Sequence, residues 1–350
     1  MTIKKFIDIT NDYLQKKSII YISTGFGGFI LGILLFIFFS PNYYANNNQV
    51  LFEIKKGENL NQIIQRLHQD EIIPSKFNMR IASVFYDASH QIKAGKYRIP
   101  NGLNYFELVK LFLKGTPEES VRVTIPEGIW QFRLAQIFRK EMDLDSARFI
   151  ELSKNKSFIK SLGLNCSNLE GYMRPETFDF VKTSSVEEVM RKLVSETNKL
   201  FTDSVLVQIK KMGYSKHEIL TIASIVEAES NIVDEFGTIA GVYYNRLKRG
   251  MKLQADPTVQ YLKRKSKRRN RILYKDLEID SPYNTYKYPG MPPGPINNPS
   301  KEAILASINP EKHNLYYFVA DGKGGHIFAK NYSQHLKNVN NYRVWRRANR

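Results

Sequence analysis

One cysteine, Cys166, occurs in 350 residues. That excludes an intramolecular disulfide and any zinc site built from several cysteines, and leaves Cys166 to pack as a small apolar side chain. No HExxH, Cys-x-x-Cys or Gly-x-Ser-x-Gly segment is present, so zincin, zinc-ribbon and nucleophile-elbow chemistries have no local support. The six histidines, among them His217, His313 and His326, lack metal-ligand spacing, and neither a metal nor a cofactor is expected. The glycines of Asp321-Gly322-Lys323-Gly324-Gly325 do not end in Gly-Lys-Ser/Thr, which excludes a phosphate loop there. Acidic residues are also scarce: 34 Asp and Glu face 52 Lys and Arg, a formal net charge of +18. The excess points to an anionic partner, whether nucleic acid, acidic headgroups or an anionic wall polymer, and charge alone does not choose.

Long apolar runs are absent with one exception. Residues 18–40, SIIYISTGFGGFILGILLFIFFS, form an uncharged stretch long enough for a membrane helix, which needs about 20 residues. Lys4, Lys5, Lys16 and Lys17 precede it and no basic residue follows until Lys55, so the positive-inside rule puts residues 1–17 in the cytoplasm and the rest outside. A cleaved signal peptide would have a shorter apolar core and a small-x-small site, whereas Pro41-Asn42-Tyr43-Tyr44-Ala45 is a poor one; an uncleaved anchor is expected. Tyr43 and Tyr44 suit the outer interface, and 41–49 reads as a linker.

Residues 50–116 read as a small α/β unit. Val50 to Ile54 is strand-like, Gly57-Glu58-Asn59 turns, and Leu60, Ile63, Ile64 and Leu67 form a helical stripe. The theme repeats in Lys96 to Ile99, Pro100-Asn101-Gly102, and a helix carrying Phe106, Leu108, Val109, Leu111 and Phe112. Such units resemble the LysM module, which binds polymers containing N-acetylglucosamine; a spacer is the alternative use.

A connecting region spans 117–210. Val121 to Gly128 is a strand ending in a turn, Trp130 to Phe138 a helix, and Val186 to Leu206 a polar-faced helix. Leu169 to Phe180, LEGYMRPETFDF, has neither helix nor strand period and is read either as a sugar subsite or as an ordered packing loop. From 211 a further domain follows. Thr238 to Leu247 is helical, and the turn at 253–258 brings Gln254 and Asp256 toward a cleft. Lys263 to Arg271 is the densest basic run; beyond a membrane anchor it reads as a solvated loop or a contact for acidic polymers, not as a nucleic-acid site. Ser281 to Ser300, rich in Pro, Gly, Tyr and Asn, is an extended loop whose rings and amides suit acetamido sugars. Leu315 to Ala320 and His326 to Ala329 form a hairpin whose glycine turn presents His326 beside a cleft.

The chemistry is expected at Lys216 to Ser230, KHEILTIASIVEAES. Ile219, Leu220, Ile222, Ala223, Ile225 and Val226 recur at the spacing of one helical face, with Glu227 and Glu229 in the last turn. A helix C-terminus and apolar surroundings both raise a glutamate's pKa, which keeps a proton available to a general acid. Periodicity does not choose between the two glutamates, and a solvated helix end remains the plain alternative.

Taken together, ASIVEAES, VYYNRLKRGMKLQADPTVQY, SPYNTYKYPGMPPGPINNPS and YYFVADGKGGHIF, in this order, resemble the YceG-like family of endolytic murein transglycosylases. LEGYMRPETFDF resembles the family's LEGYLFPDTY-type segment, with Met173-Arg174 where a hydrophobic or aromatic pair is usual. The resemblance implies an α+β fold: a transmembrane helix, a LysM-like subdomain, and a mixed α/β catalytic domain (211–350) with a lysozyme-like catalytic helix. It implies a lyase of the bacterial inner membrane, its catalytic domain periplasmic, that terminates nascent peptidoglycan strands by cutting the MurNAc-GlcNAc β-1,4 bond to leave 1,6-anhydroMurNAc ends. Peptidoglycan synthases are implied as partners. The resemblance names Glu229 as catalytic and leaves Glu227 as support; Ser230, Asn245, Gln254, Asp256, Tyr283, Asn284, Tyr286 and His326 are expected to contact substrate or back such contacts. Two rivals remain: a hydrolase using Asp256 or Glu235 as a second carboxylate, and a wall-binding scaffold without catalysis.

Overall fold

The computed structural model describes residues 24–43 except Leu34 and Ile37, 49–115, 119–264 and 272–349. The chain divides into two compact units, Met1–Ser120 and Val121–Arg350.

In the first unit, β1 (Val50–Ile54) leads through Gly57, at φ +82°, into α1 (Leu60–Gln69), followed by α2 (Lys76–Phe85), β2 (Gly95–Ile99) and α3 (Tyr105–Lys114). The strands pair antiparallel, Val50 opposite Ile99 and Ile54 opposite Gly95. Asn59 with Gln62, and Asn104 with Glu107, form reciprocal capping boxes that start α1 and α3. Both expected strand-turn-helix units are present, and Phe52, Ile63, Leu67, Tyr97, Leu108 and Phe112 fill one core between them. No residue pattern announced α2, because it buries little more than Met79, Ala82 and Ser83 while leaving Phe77, Val84 and Phe85 exposed.

Residues 18–23 of the expected membrane span lie outside the described residues. From 24 to 39 the described residues are helical and bare Phe26, Phe29, Leu31 and Phe36 to solvent. Among the described residues, no helix is long and apolar enough to cross a membrane. Phe39 packs on Phe106 with ring centroids 5.1 Å apart. The Asn42 N–H donates to the Leu103 carbonyl at 3.0 Å, fastening the start of the expected linker to the turn before α3.

β3 (Ser120–Thr124) leads into the second unit. There follow α4 (Gln131–Met142), α5 (Ser146–Leu152), α6 (Lys156–Ser161), β4 (Thr177–Val181), which pairs with β3, α7 (Val186–Asn198) and α8 (Asp203–Lys211). The single helix expected over 186–206 is two, since Thr202 turns out of the first and caps the second through Val205 N–H. After α9 (Lys216–Glu229) come α10 (Phe236–Lys248), α11 (Asp256–Leu262), α12 (Lys301–Ile308), β5 (Tyr317–Ala320), β6 (His326–Ala329) and α13 (Tyr332–Ala348). β5 and β6 form the expected antiparallel hairpin, with Ala320 opposite His326.

α9 is the axis of this unit. A Ser215–Glu218 capping box starts it, and every residue from Ile219 to Val226 is buried. The expectation of one apolar face needs correction: Ile219, Leu220 and Ala223 join the core formed with α4 to α8, while Ile222, Ile225 and Val226 join a second core formed with α10 to α12. A helix apolar all round sits between two cores. Each isoleucine there contributes about 1.5–3 kcal/mol by burial.

The 169–180 segment is a packing loop over its first half, Leu169 to Pro175 being buried. Asn298 Oδ1 accepts the N–H groups of Gly171 and Met173 at 3.0 and 3.1 Å. Gly171 sits at φ +84°, and a Cβ there would lie 2.3 Å from Pro295, so no larger residue fits. Glu170 accepts the first N–H of α4, from Gln131, at 2.7 Å, and burial pushes its carboxyl up to about 8.

Candidate active site

The two glutamates at the end of α9 part company. Glu227 accepts the Ser300 N–H at 2.9 Å, while the Ser300 hydroxyl accepts from Ala303 N–H and caps α12. Glu227 therefore ties the end of one helix to the start of another, and burial raises its pKa. Glu229, half-buried, instead faces a cavity of about 440 Å³. Its Oε1 accepts the hydroxyl of Tyr243, a fully buried residue of α10. Burial pushes the Glu229 carboxyl up to about 7; the Asp256 charge pushes the same way, while the Tyr243 hydrogen bond and the Arg246 charge oppose it. A group so poised can give a proton near neutrality and take one back.

Arg246, one turn after Tyr243 on α10, is buried and fixed by hydrogen bonds to the carbonyls of Tyr316 (2.7 Å) and Leu253 (2.6 Å). Its guanidinium lies over the Tyr317 ring, 5.3 Å from the centroid. The charge that steadies an ionised Glu229 is thus held by backbone, not by a competing carboxylate.

The opposite wall comes from two loops locked to each other. Gln254 N–H donates to the Thr285 carbonyl at 3.1 Å, Ala255 N–H to the Thr285 hydroxyl at 2.9 Å, and the Thr258 and Thr285 hydroxyls meet at 2.9 Å. This sets Asp256, the first residue of α11, against Tyr286, whose hydroxyl donates to its Oδ1 at 2.5 Å. Gln254 stands at φ +48°, in the left-handed region that disfavours side chains, and is held there beside the cavity. His326 closes the floor. It is gripped by Glu235, which accepts its backbone N–H at 2.8 Å and lies 2.7 Å from its Nδ1. Burial would raise Glu235; the bonds from His326 and Ser230 outweigh it and hold the carboxyl below its ordinary value.

Of the expected residues, Glu229, Gln254, Asp256, Tyr286 and His326 meet in this cavity. Ser230 does not line it, but its hydroxyl donates to Glu235 at 3.1 Å and so backs His326. Asn245 lies elsewhere, donating to the carbonyls of His313 and Leu315 at 2.8 and 3.1 Å. Asn284 is fully buried and folds its own loop through the carbonyls of Leu277 and Ile279. Tyr283 packs on Tyr261, 5.2 Å between centroids, away from the cavity. Lys263 pairs with Asp276 at 2.5 Å, and 265–271 of the basic run lie outside the described residues.

Sequence reading missed Tyr243, Arg246, Tyr317, Tyr332 and His335, all of which line the cavity. Tyr243 and Arg246 had a signal, since they stand three apart on a helix and so share a face. The aromatic residues of β5 and α13 had none that separates them from ordinary packing.

A desolvated carboxylate, hydrogen-bonded by a tyrosine and facing a polar, aromatic-walled cleft, is an arrangement suited to general acid–base chemistry. The chain belongs to the YceG-like family, whose sequence profile matches residues 52–341. It is 30% identical over 331 residues to the endolytic murein transglycosylase of Bacillus subtilis (strain 168), covering 90% of each chain. To the endolytic murein transglycosylase of Streptococcus pneumoniae serotype 2 (strain D39) it is 31% identical over 326 residues, 84% of this chain and 59% of that one. A crystal structure of a YceG-like protein from Listeria monocytogenes superposes with a TM-score of 0.56 at 31% identity, covering 83% of this chain and 99% of that one.

Proposed function

We propose that this protein is a lytic transglycosylase that cuts peptidoglycan glycan strands, with Glu229 as its sole proton-transfer group. The observation that carries the proposal is the Glu229 carboxyl, held by Tyr243 in the cavity and pushed up to about 7. The relatives' name, endolytic murein transglycosylase, agrees with it.

Protonated Glu229 gives its proton to the glycosidic oxygen as the C1–O bond of the muramic residue breaks. The glutamate, now ionised and steadied by Tyr243 and Arg246, takes the proton of the C6 hydroxyl, whose oxygen bonds to C1. The products are a 1,6-anhydro end and a free hydroxyl on the leaving sugar; no water is consumed. Glu235, the candidate second carboxylate of a hydrolase, is occupied by His326 and Ser230. Acid–base assistance is worth roughly 10²–10⁴ in rate. Mass analysis of digested strands tests the reading: wild type yields anhydro ends and Glu229→Gln loses activity by at least that factor. Reducing muramic ends would instead indicate a hydrolase, with Asp256 the carboxylate to examine.

The protein acts as a terminase from the outer face of the inner membrane, anchored through 18–40, with strand synthases as neighbours. Support comes from the uncharged run, the lysines before it and the bare phenylalanines of the 24–39 helix. Deleting residues 1–40 should move the protein from the membrane to the soluble fraction; retention would dismiss the anchor. The strand-turn-helix order of the first unit, and its polar cavity of about 440 Å³ beside Gly57 and Arg66, support a LysM-like glycan contact.

A further inference from the structure

The C-terminal helix α13 enters the cavity beside Glu229. Tyr332 and His335, one turn apart, both line it, and with Tyr317 of β5 they form a three-ring cluster. The Tyr317 and His335 rings stack at 5.2 Å and 25°; Tyr332 lies 5.9 Å from Tyr317 and 6.3 Å from His335. The cluster is rigid on one side and open on the other. Arg246 backs Tyr317, whereas Tyr332 keeps 59% of its surface exposed. His335 Nδ1 is buried without a hydrogen-bond partner, so its ring is held by stacking. Burial and the nearby Arg246 charge lower its pKa and keep the ring neutral, an aromatic face and not a cation.

Tyr332 and His335 pack α13 on Tyr317, although the helix has no buried residue of its own. The helix is also fixed at its far end. Trp345 lies against Gly322 of the β5–β6 turn, at φ +84°, where an added Cβ would stand 2.4 Å from the indole. A glycine in that turn is what lets the helix dock and hold its other end over the cavity.

We infer that Tyr332 and His335 form a stacking platform for a pyranose ring of the strand, a binding subsite that α13 adds to the Glu229 cavity. The inference rests on the reading of the cavity as a glycan-cleaving site. A pyranose ring has an apolar C–H face and a rim of hydroxyls; aromatic faces cover the first while Gln254, Asp256 and Tyr286 across the cavity can bond the second.

The test uses the full-length protein and peptide-free glycan strands. Tyr332→Ala and His335→Ala should each raise KM roughly 3–10-fold, the range of one aromatic contact, with kcat within about twofold, the same end groups and an unchanged melting temperature. Tyr332→Phe should restore KM. Gly322→Ala, which wedges Trp345 away without touching the cavity, should raise KM as well. Wild-type KM in both alanine variants, or a loss confined to kcat, overturns the platform while leaving the proposed reaction standing. If wild type leaves strands intact, the reaction fails. Strand binding by Glu229→Gln, with and without Tyr332→Ala, then decides the platform by itself: a weaker complex in the double variant supports it and equal binding overturns it.

Discussion

At the scale of single residues, Glu229 is set by four influences whose signs are known, so its neighbours can be used to move it. The acid role proposed for it needs the proton, and kcat/KM should fall as pH rises through about 7. The Tyr243 hydroxyl favours the ionised form, so Tyr243→Phe should shift that fall to higher pH. The Asp256 charge disfavours it, so Asp256→Asn should shift the fall to lower pH. Opposite displacements in pH–rate profiles are the check; a common direction would mean that one of the contacts acts through loop position. Stability follows from the same shift. Below about 4.5 the carboxyl is protonated in both folded and unfolded chains and contributes nothing. Between 4.5 and 7 the unfolded chain ionises first, which destabilises the fold, and above 7 the penalty is complete. Glu229→Gln should therefore match wild type in denaturant melts at pH 4 and exceed it at pH 8 by on the order of 1–3 kcal/mol. Periodicity made Glu229, the proposed acid, legible only as one of a pair; the family resemblance singled it out, and the structure supplies the physical difference. Both end the same helix, and only their partners, Tyr243 for one and the Ser300 N–H for the other, tell them apart.

Elements decide how firmly that carboxylate is held. α9 has core on both sides, so trimming it leaves a cavity that neither neighbour can readily fill. Ile225→Ala is expected to cost about 2–5 kcal/mol, and its readout is the midpoint of a urea melt at constant slope. Ser300→Ala removes the cap of α12 next to Glu227 and should cost about 1 kcal/mol. The helix over 216–229 was evident from its apolar spacing, as was the 317–329 hairpin from its glycine turn. By contrast, α2 and the break between α7 and α8 were hidden, since both are set by which few side chains find a core and by a threonine cap. The 281–300 loop shows the limit most clearly. Its composition announced an irregular loop with hydrogen-bonding amides, yet Asn284 and Asn298 spend theirs inside the protein.

At the scale of the molecule, the two units share no core residue among the described residues: the first packs around β1, β2 and α1 to α3, the second around the two faces of α9. Calorimetry should resolve two transitions, and Ile225→Ala should lower only one of them; a single cooperative peak that moves as a whole would contradict independent cores. The linear order of residues by itself determined the charge excess, the apolar N-terminal run, the strand-turn-helix units and a buried helix ending in two glutamates, because each depends on neighbours within about a turn or on composition. The tertiary structure decided the site. Glu229, Tyr243, Gln254, Asp256, Tyr286, His326 and His335 span more than a hundred positions and meet only through packing of α9, α10, two locked loops, a hairpin and the last helix. Whether a carboxylate keeps its proton depends on how much water and which charges surround it, and no local pattern of residues specifies that.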